Sequence, residues 1–399
     1  MNASGSNVHA VPAVRRGRLR LRRALMVCAA FVSIGAAAFL CVARNHIRSL
    51  WSLQQVPGTN MYVMDYYCGY NAAGLYEHGV DPEDIPGSLI RNYFPRFVSP
   101  LVEAMGGHVK GERKWRKIDH ACSTVAVRDD EGDMLFGRNF DWTHDPCLIL
   151  RIHGTDGRSS VNMIDLHYLQ LGEKQLEHLS LSNRTRLLLA PYAPMDGMND
   201  RGLAVSCMTA NETRLPPTDH SKPTLVVTTL MRLVLDFADT TDEAVAIMRR
   251  FNLDFDGVPC HFMIADRTGK SVVVEFVDGQ FETVPATCRW QVSTNHLLSG
   301  KSATENDAAC DRYRTAAARL DDTSLSVDAR EVMRLMGSIS AENRTMWTSL
   351  FNLTTGDYQI AYRRHYDSPF SNRLPQQTPS TDLDLGLARR ASEGRRLPE

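Results

Sequence analysis

Residues 122–140 read CSTVAVRDDEGDMLFGRNF, two alternating runs of β-branched and apolar residues joined by an aspartate-rich turn with a glycine. The pattern predicts a β-hairpin, with strands over 122–128 and 134–140, a turn over Asp129–Asp133, and Cys122 as its first residue. A hairpin has one face to bury, and the rest of the chain supplies the elements to bury it. Further strands are predicted at 147–153, 159–166 and 203–209. Two helices follow, one over 224–238 and one that starts from a capping box of Thr240 and Glu243. Strands return at 260–265, 270–277, 280–284 and 290–294, then helices over 304–320 and 327–336, and a closing hairpin pairs 347–353 with 358–363 across TTGD. Strands in runs with helices in groups give an α+β layered fold rather than a parallel βαβ sheet. No repeat of 20–50 residues is visible.

Upstream, residues 61–121 read as a folded segment separate from the hairpin, opening on a strand-like MYVMDYY and ending in a basic, exposed stretch, KGERKWRKIDH. The run from Ala24 to Ala43 carries no charge, and six arginines lie between Arg15 and Arg23. Twenty residues at ~1.5 Å each match the ~30 Å hydrocarbon core of a bilayer. The arginines predict a cytoplasmic N-terminus and a main domain outside the cytoplasm, in a periplasm, lumen or cell exterior. A signal anchor and a cleaved signal peptide, which would leave a secreted protein, both fit; the length favours the anchor. The expected division is a basic tail over 1–23, a transmembrane helix over 24–43, a stalk and propeptide-like segment over 44–121, a catalytic domain over 122–370 and a disordered tail over 371–399.

The balance of 45 basic and 46 acidic residues sets nucleic-acid binding aside. Nine cysteines form no CxxC pair, and the 13 histidines show no HExxH spacing, so no metal or organic cofactor is implied. Seven cysteines lie outside the apolar run, an odd number that leaves at least one thiol free; Cys207, Cys260 and Cys288 read as core thiols. Sequons at Asn183, Asn211, Asn343 and Asn352 suit a lumenal glycoprotein but arise readily by chance.

A nucleophilic cysteine needs a base or a lowered pKa. Cys122 opens a strand, and Ser-Thr-Val-Ala-Val is a poor first helical turn, so the arrangement of a helix-borne thiol beside a distant histidine fits weakly, with His120 or His296 as the base. The other available base is the α-amino group of Cys122 itself, whose ordinary pKa is ~7.7–8.0. That group exists only if the Ala121–Cys122 bond has been cut, which the thiol can do by attacking the preceding carbonyl and passing through a thioester.

The stretch ACSTVAVRDDEGDMLFGRNFDW resembles the opening of the N-terminal nucleophile cysteine hydrolases: the choloylglycine hydrolase, penicillin V acylase and acid ceramidase superfamily. There an arginine and an aspartate follow the cysteine by 16 and 19 residues, as Arg138 and Asp141 follow Cys122. DGMNDRGLAVS, STNH, DRYRTAAARL and WTSLFNLTTGDYQIAY resemble later segments of the same pattern in the same order. The nearest flavour is that of linear amide hydrolases related to acyl-coenzyme A:6-aminopenicillanate acyltransferase. The resemblance implies a four-layer αββα sandwich and hydrolysis of an N-acyl amide, with cleaved chains that stay associated, and the apolar run at 24–43 suggests a lipid amide. It assigns Cys122 as nucleophile and base, Arg138 to the thiolate, Asp141 to the α-ammonium and Asn295 to the oxyanion. Arg312 completes the charge network, with Arg314 as the fallback register. Thr209 stands where bile-salt hydrolases carry an asparagine, and its backbone N–H serves in that place. An acyltransferase using the same thioester, an uncut Cys–His thiol hydrolase and a binding protein without catalysis are the competing functions.

Overall fold

The computed structural model describes residues 43–93, 122–143, 145–154, 158–172, 176 and 179–377. The arginine cluster, the apolar run up to residue 42, the basic stretch at 110–120, Ala121 and the tail from residue 378 lie outside them. Among the described residues no helix is long and apolar enough to cross a membrane.

From Ser49 onward the chain forms one compact unit built on two sheets. The larger contains β1 (Gln54–Gln55), β2 (Met61–Tyr66), β5 (Cys147–Ile152), β6 (Ser160–Asp165), β7 (Pro194–Asn199), β8 (Leu203–Thr209), β11 (Cys260–Asp266), β12 (Ser271–Val277) and β13 (Gln280–Pro285), hydrogen-bonded in that order. The smaller runs in the order β14 (Trp290–Ser293), β3 (Ser123–Arg128), β4 (Met134–Asp141), β15 (Thr345–Asn352), β16 (Asp357–Tyr362) and β17 (Phe370–Arg373). Two short strands, β9 (Thr224–Val226) and β10 (Asn252–Asp254), pair apart from both.

Period-two alternation decides which side chain goes where. Ala126, Phe136 and Phe140 point into an apolar layer shared with Met163, Met198, Met208 and Met263 of the large sheet, so the two sheets stack face to face. Val125, Val127 and Leu135 point the other way, against helices α6 (Asp311–Asp321) and α7 (Ala329–Ser338). On the far side of the large sheet, α1 (Ala72–His78), α3 (Val227–Phe237) and α4 (Thr241–Met248) cover Leu148, Leu150, Val205 and Phe262. The layers run helix, sheet, sheet, helix, as expected. Gly137 lets α7 approach closely: a Cβ there would stand 3.0 Å from Met336 Cγ.

Several assignments differ from the sequence reading. The described part of the segment before Cys122 is not separate from the rest, because β2 pairs in parallel with β5 within the large sheet. The Pro194–Asn199 stretch, for which no strand is predicted, is itself a strand held between β6 and β8. The predicted helix over 304–320 is two, α5 (Ala303–Ala309) and α6, parted at Cys310, which is extended. The helix expected over 224–238 begins at Val227, after β9. The capping box on α4 forms as predicted: the Thr240 hydroxyl accepts from Glu243 N–H, and Glu243 accepts from Thr240 N–H.

Candidate active site

The seven cysteines among the described residues are all free thiols. Cys207 and Cys260 are buried, while Cys288 is exposed in the turn before β14, contrary to its reading as a core residue. Cys122 lies immediately before β3, buried at the wall of a cavity of about 780 Å³. The cavity passes between the large sheet and α2 (Ile85–Tyr93), with Leu89, Ile90, Leu169, Leu189 and Phe255 among its walls. Volume and lining suit a small molecule with a sizeable apolar part.

Neighbouring strands bring the other residues to Cys122. In the hairpin Ser123 faces Asn139, so extending the register by one residue sets Cys122 across from Phe140, with Asp141 next along. On the other edge Ser293 faces Thr124, which carries the chain from β14 to Asn295 beside Cys122. Arg138 and Asp141 are three residues apart on one strand and therefore point to opposite faces. Arg138 enters the layer between the sheets. Its Nη1 lies 3.0 Å from Asp196 Oδ2, its Nη2 donates to Cys207 O at 2.7 Å, and the same nitrogen stands 3.8 Å from Cys122 Sγ. Asp141 turns toward the helices. A bulge between Thr345 and Trp347 in β15 sets the Thr345 hydroxyl on Asp141 Oδ1 at 2.5 Å. Asp141 Oδ2 is buried, accepts no hydrogen bond among the described residues, and lies 3.9 Å from Arg312 Nη1.

Arg312, on the first turn of α6, donates to Cys122 O at 2.6 Å and to Asn295 Oδ1 at 2.9 Å. Arg314 instead pairs with Asp311 at the surface, so Arg312 is the arginine that reaches the site. Asn295 Nδ2 donates to both Thr209 O and Thr209 Oγ1 at 2.8 Å. Ala210 N–H donates to Pro259 O, which makes the neighbouring Thr209–Cys260 pair one without ladder bonds, and Thr209 N–H faces away from β11. The structure thus gathers Cys122, Arg138, Asp141, Asn295, Arg312 and Thr209 at one end of the sheets. Ala121 and His120 lie outside the described residues. His296 is engaged elsewhere, with Thr294 Oγ1 at 2.9 Å and Asn306 Oδ1 at 3.2 Å. It also faces Cys310, whose thiol burial tends to raise but which hydrogen bonds to His296 and Thr294 bring down to about 6.

Asp196 is the site residue that sequence reasoning missed. It is fully buried and also accepts from Trp347 Nε1 at 2.9 Å and Ser349 Oγ at 2.9 Å, so it is the counter-ion that fixes Arg138. Its only signal was its place at the head of DGMNDRGLAVS, a segment that by itself gives the aspartate no role. Asn199, by contrast, has a structural role: it ties the end of β7 to the end of α3 by donating to Leu235 O and Ala238 O.

Burial dominates the electrostatics. It pushes the Cys122 thiol up to about 11, against the pull of Arg138 and with a further push from Asp141. It also raises Asp141 to about 6, against the Thr345 hydrogen bond and the charges of Arg312 and Arg138. A carboxyl whose folded pKa lies above its ordinary 3.8 costs stability as it ionises, so stability falls as pH rises from about 4 to about 6. The full cost above that window is roughly 3 kcal/mol, at about 1.4 kcal/mol per pH unit. Asp141→Asn in an uncut Cys122→Ala chain is therefore expected to melt several degrees higher than its parent at pH 7 and equally at pH 4. Thermal unfolding at the two pH values checks this, and a lower melting temperature at pH 7 would refute it.

Residues 165–362 match the family model for acyl-coenzyme A:6-aminopenicillanic acid acyl-transferase, just under half of the chain. The chain is similar to that family, as its motifs indicated. No curated protein sequence is a significant match. Among solved structures, a mutant of conjugated bile acid hydrolase from Clostridium perfringens is similar at 15% identity and a TM-score of 0.48, over 64% of this chain and 93% of that one. Penicillin V acylase from Agrobacterium tumefaciens follows at 18% identity and 0.47, over 66% and 88%. The Caenorhabditis elegans ortholog of N-acylethanolamine-hydrolyzing acid amidase follows at 14% and 0.40, over 64% and 100%. These likenesses are distant, and the fold rests on the layers described above.

Proposed function

We propose that this chain is a self-processing cysteine amidohydrolase that cleaves linear N-acyl amides through a thioester on Cys122. The observation that carries the reading is Asp141 Oδ2, a buried carboxylate oxygen with no hydrogen bond, at the strand end next to Cys122. A free α-ammonium on Cys122 is the partner that such an oxygen lacks. In self-cleavage, Cys122 Sγ attacks the Ala121 carbonyl carbon, the bond from that carbon to the Cys122 nitrogen breaks, and the nitrogen takes the thiol proton. Water then hydrolyses the thioester and leaves a carboxylate at Ala121 with a free amine and thiol on Cys122.

In turnover the amine accepts the thiol proton and sulfur attacks the amide carbonyl. The oxygen takes up charge beside Thr209 N–H and Asn295 Nδ2, which gives up one of its two bonds to Thr209 to meet it, donors of the kind that stabilise an oxyanion. Collapse forms the thioester and expels the substrate amine, which takes its proton from the α-ammonium, and water releases the acid. Arg138 offsets charge on sulfur, while Asp141 and Arg312 hold the ammonium and the Cys122 carbonyl. The cleaved chains stay together because β1 and β2 remain paired within the large sheet. The run at 24–43 is the segment that would tether the protein; membrane fractionation of the full chain against one lacking residues 1–43 tests that.

Denatured mass spectrometry after brief exposure to an N-acyl amide tests the chemistry. An acyl adduct on the fragment that begins at Cys122 is expected, and steady release of acid without any adduct or burst counts against it. The match to an acyl-transferase family supports a second reading, in which an amine rather than water takes the acyl group. Products formed with a competing amine separate the two. The apolar cavity favours a long acyl chain, so Leu89→Trp is expected to raise KM roughly tenfold for long-chain amides and leave short-chain amides unchanged. A strong preference of the wild type for short chains would sink that assignment.

A further inference from the structure

Two fully buried side chains on the large sheet, His261 of β11 and Glu275 of β12, take no part in the chemistry above. Glu275 accepts from Leu298 N–H at 2.7 Å and from Ser299 N–H at 2.8 Å. His261 Nδ1 lies 3.1 Å from Glu275 Oε1, and its Nε2 lies 2.6 Å from Thr294 O. A carbonyl oxygen only accepts, so Nε2 carries a hydrogen. Burial works to raise the Glu275 carboxyl, yet His261 and the two amides hold it below its ordinary value. His261 thus spans the gap between the Glu275 carboxylate and Thr294 O.

The backbone groups that this pair grips flank Asn295. Thr294 O comes one residue before it, and the Leu298 and Ser299 amides come three and four residues after. Asn295 itself leaves the end of β14, where ladder bonds no longer hold the chain. A buried pair of polar side chains contributes little net stability against apolar residues of similar size, so its placement on both sides of one loop calls for another account.

We propose that His261 and Glu275 are positioning residues that clamp the 294–299 loop and so hold Asn295 Nδ2 at the oxyanion. The proposal rests on the reading of Asn295 as that donor. A displacement of about 1 Å at a donor costs roughly tenfold to a hundredfold in rate, and the loss falls on kcat because the contact strengthens only in the transition state.

The test uses the full, cleaved protein, three single variants and an Asn295→Ala background. His261→Leu and Glu275→Gln are expected to lower kcat by roughly tenfold to a hundredfold with KM within about twofold, and His261→Gln, which keeps a donor toward Thr294 O, recovers most of the rate. Amide hydrogen exchange over 293–300 speeds up in His261→Leu and Glu275→Gln while β11 and β12 stay protected. In an Asn295→Ala background His261→Leu lowers kcat no further. Unchanged exchange in Glu275→Gln overturns the clamp. Faster exchange with unchanged kcat, or an equal loss in the Asn295→Ala background, overturns the positioning role. A wild type that turns over no acyl amide defeats the amidohydrolase reading instead, and the exchange measurement then decides the clamp by itself.

Discussion

Cys122→Ala is expected to purify as one uncut chain and to lose amidase activity by about 10⁶-fold, the scale seen when the nucleophile of a concerted catalytic set is removed. In the intact chain Cys122 has no free α-amine. There the thiol is buried and held up at about 11, so almost none is thiolate at neutral pH, and Arg138 at 3.8 Å does not overcome the loss of solvent. Activation has to come from a base within reach of the sulfur. Among the described residues no histidine lines the cavity that Cys122 borders; His296 is occupied by Thr294 and Asn306, and His261 by Glu275 and Thr294 O. Cutting the bond before Cys122 creates a base on the same residue, and Asp141 Oδ2 and Arg312 are in place to fix its orientation. Intact-mass analysis with N-terminal sequencing, wild type beside mutant, reads the first half of the prediction, and turnover reads the second. A Cys-Ser-Thr-Val terminus in the wild type, absent from the mutant, is the expected result. A wild type that is fully active while uncut would remove the α-amine from the mechanism and return the chemistry to a thiol activated in some other way.

How much of this was visible in the sequence depends on how local each signal is. The hairpin, the capping box on α4 and the closing β15–β16 pair depend on alternation and on residues three or four apart, and they appear close to where they were expected. The 16- and 19-residue spacing has a physical meaning that only the register discloses. It places Arg138 on the thiol face of β4 and Asp141 on the other face, toward the helices. β7 was hidden because Pro194, Asp196, Gly197 and Asn199 are all poor strand formers. It is a strand because β6 and β8 satisfy both of its edges, and tertiary pairing overrides propensity. The break between α5 and α6 was hidden for the opposite reason, since AACDRYR carries no Gly or Pro to mark it. His261 and Glu275 are polar residues within apolar stretches, Asp196 lies in a segment of poor strand formers, and a sequence offers no way to tell which distant group completes each one.

The buried Arg138–Asp196 pair gives the second large effect, and one in which stability and chemistry can be pulled apart. Arg138→Met is expected to destabilise the fold by about 3–5 kcal/mol, because it leaves the Asp196 carboxylate without its cation in a site with no solvent. Burial already raises that carboxyl despite Arg138, Trp347 and Ser349, which shows how close the balance lies. Adding Asp196→Asn removes the stranded charge and keeps an oxygen for Trp347 Nε1–H and an amide for Ser349 Oγ. The double variant is therefore expected to regain most of the lost stability, a coupling of about 2 kcal/mol or more for groups in direct contact. Turnover should not return with it. Arg138 Nη2 is the cation facing Cys122 Sγ, and no rearrangement of Asp196 puts charge back beside the sulfur. Urea unfolding and kcat/KM of the two single variants and the double one make a complete cycle. Recovery of both quantities together would reduce Arg138 to a structural residue. Recovery of stability alone, with the rate still down by roughly a hundredfold or more, is what a cation that stabilises the thiolate requires.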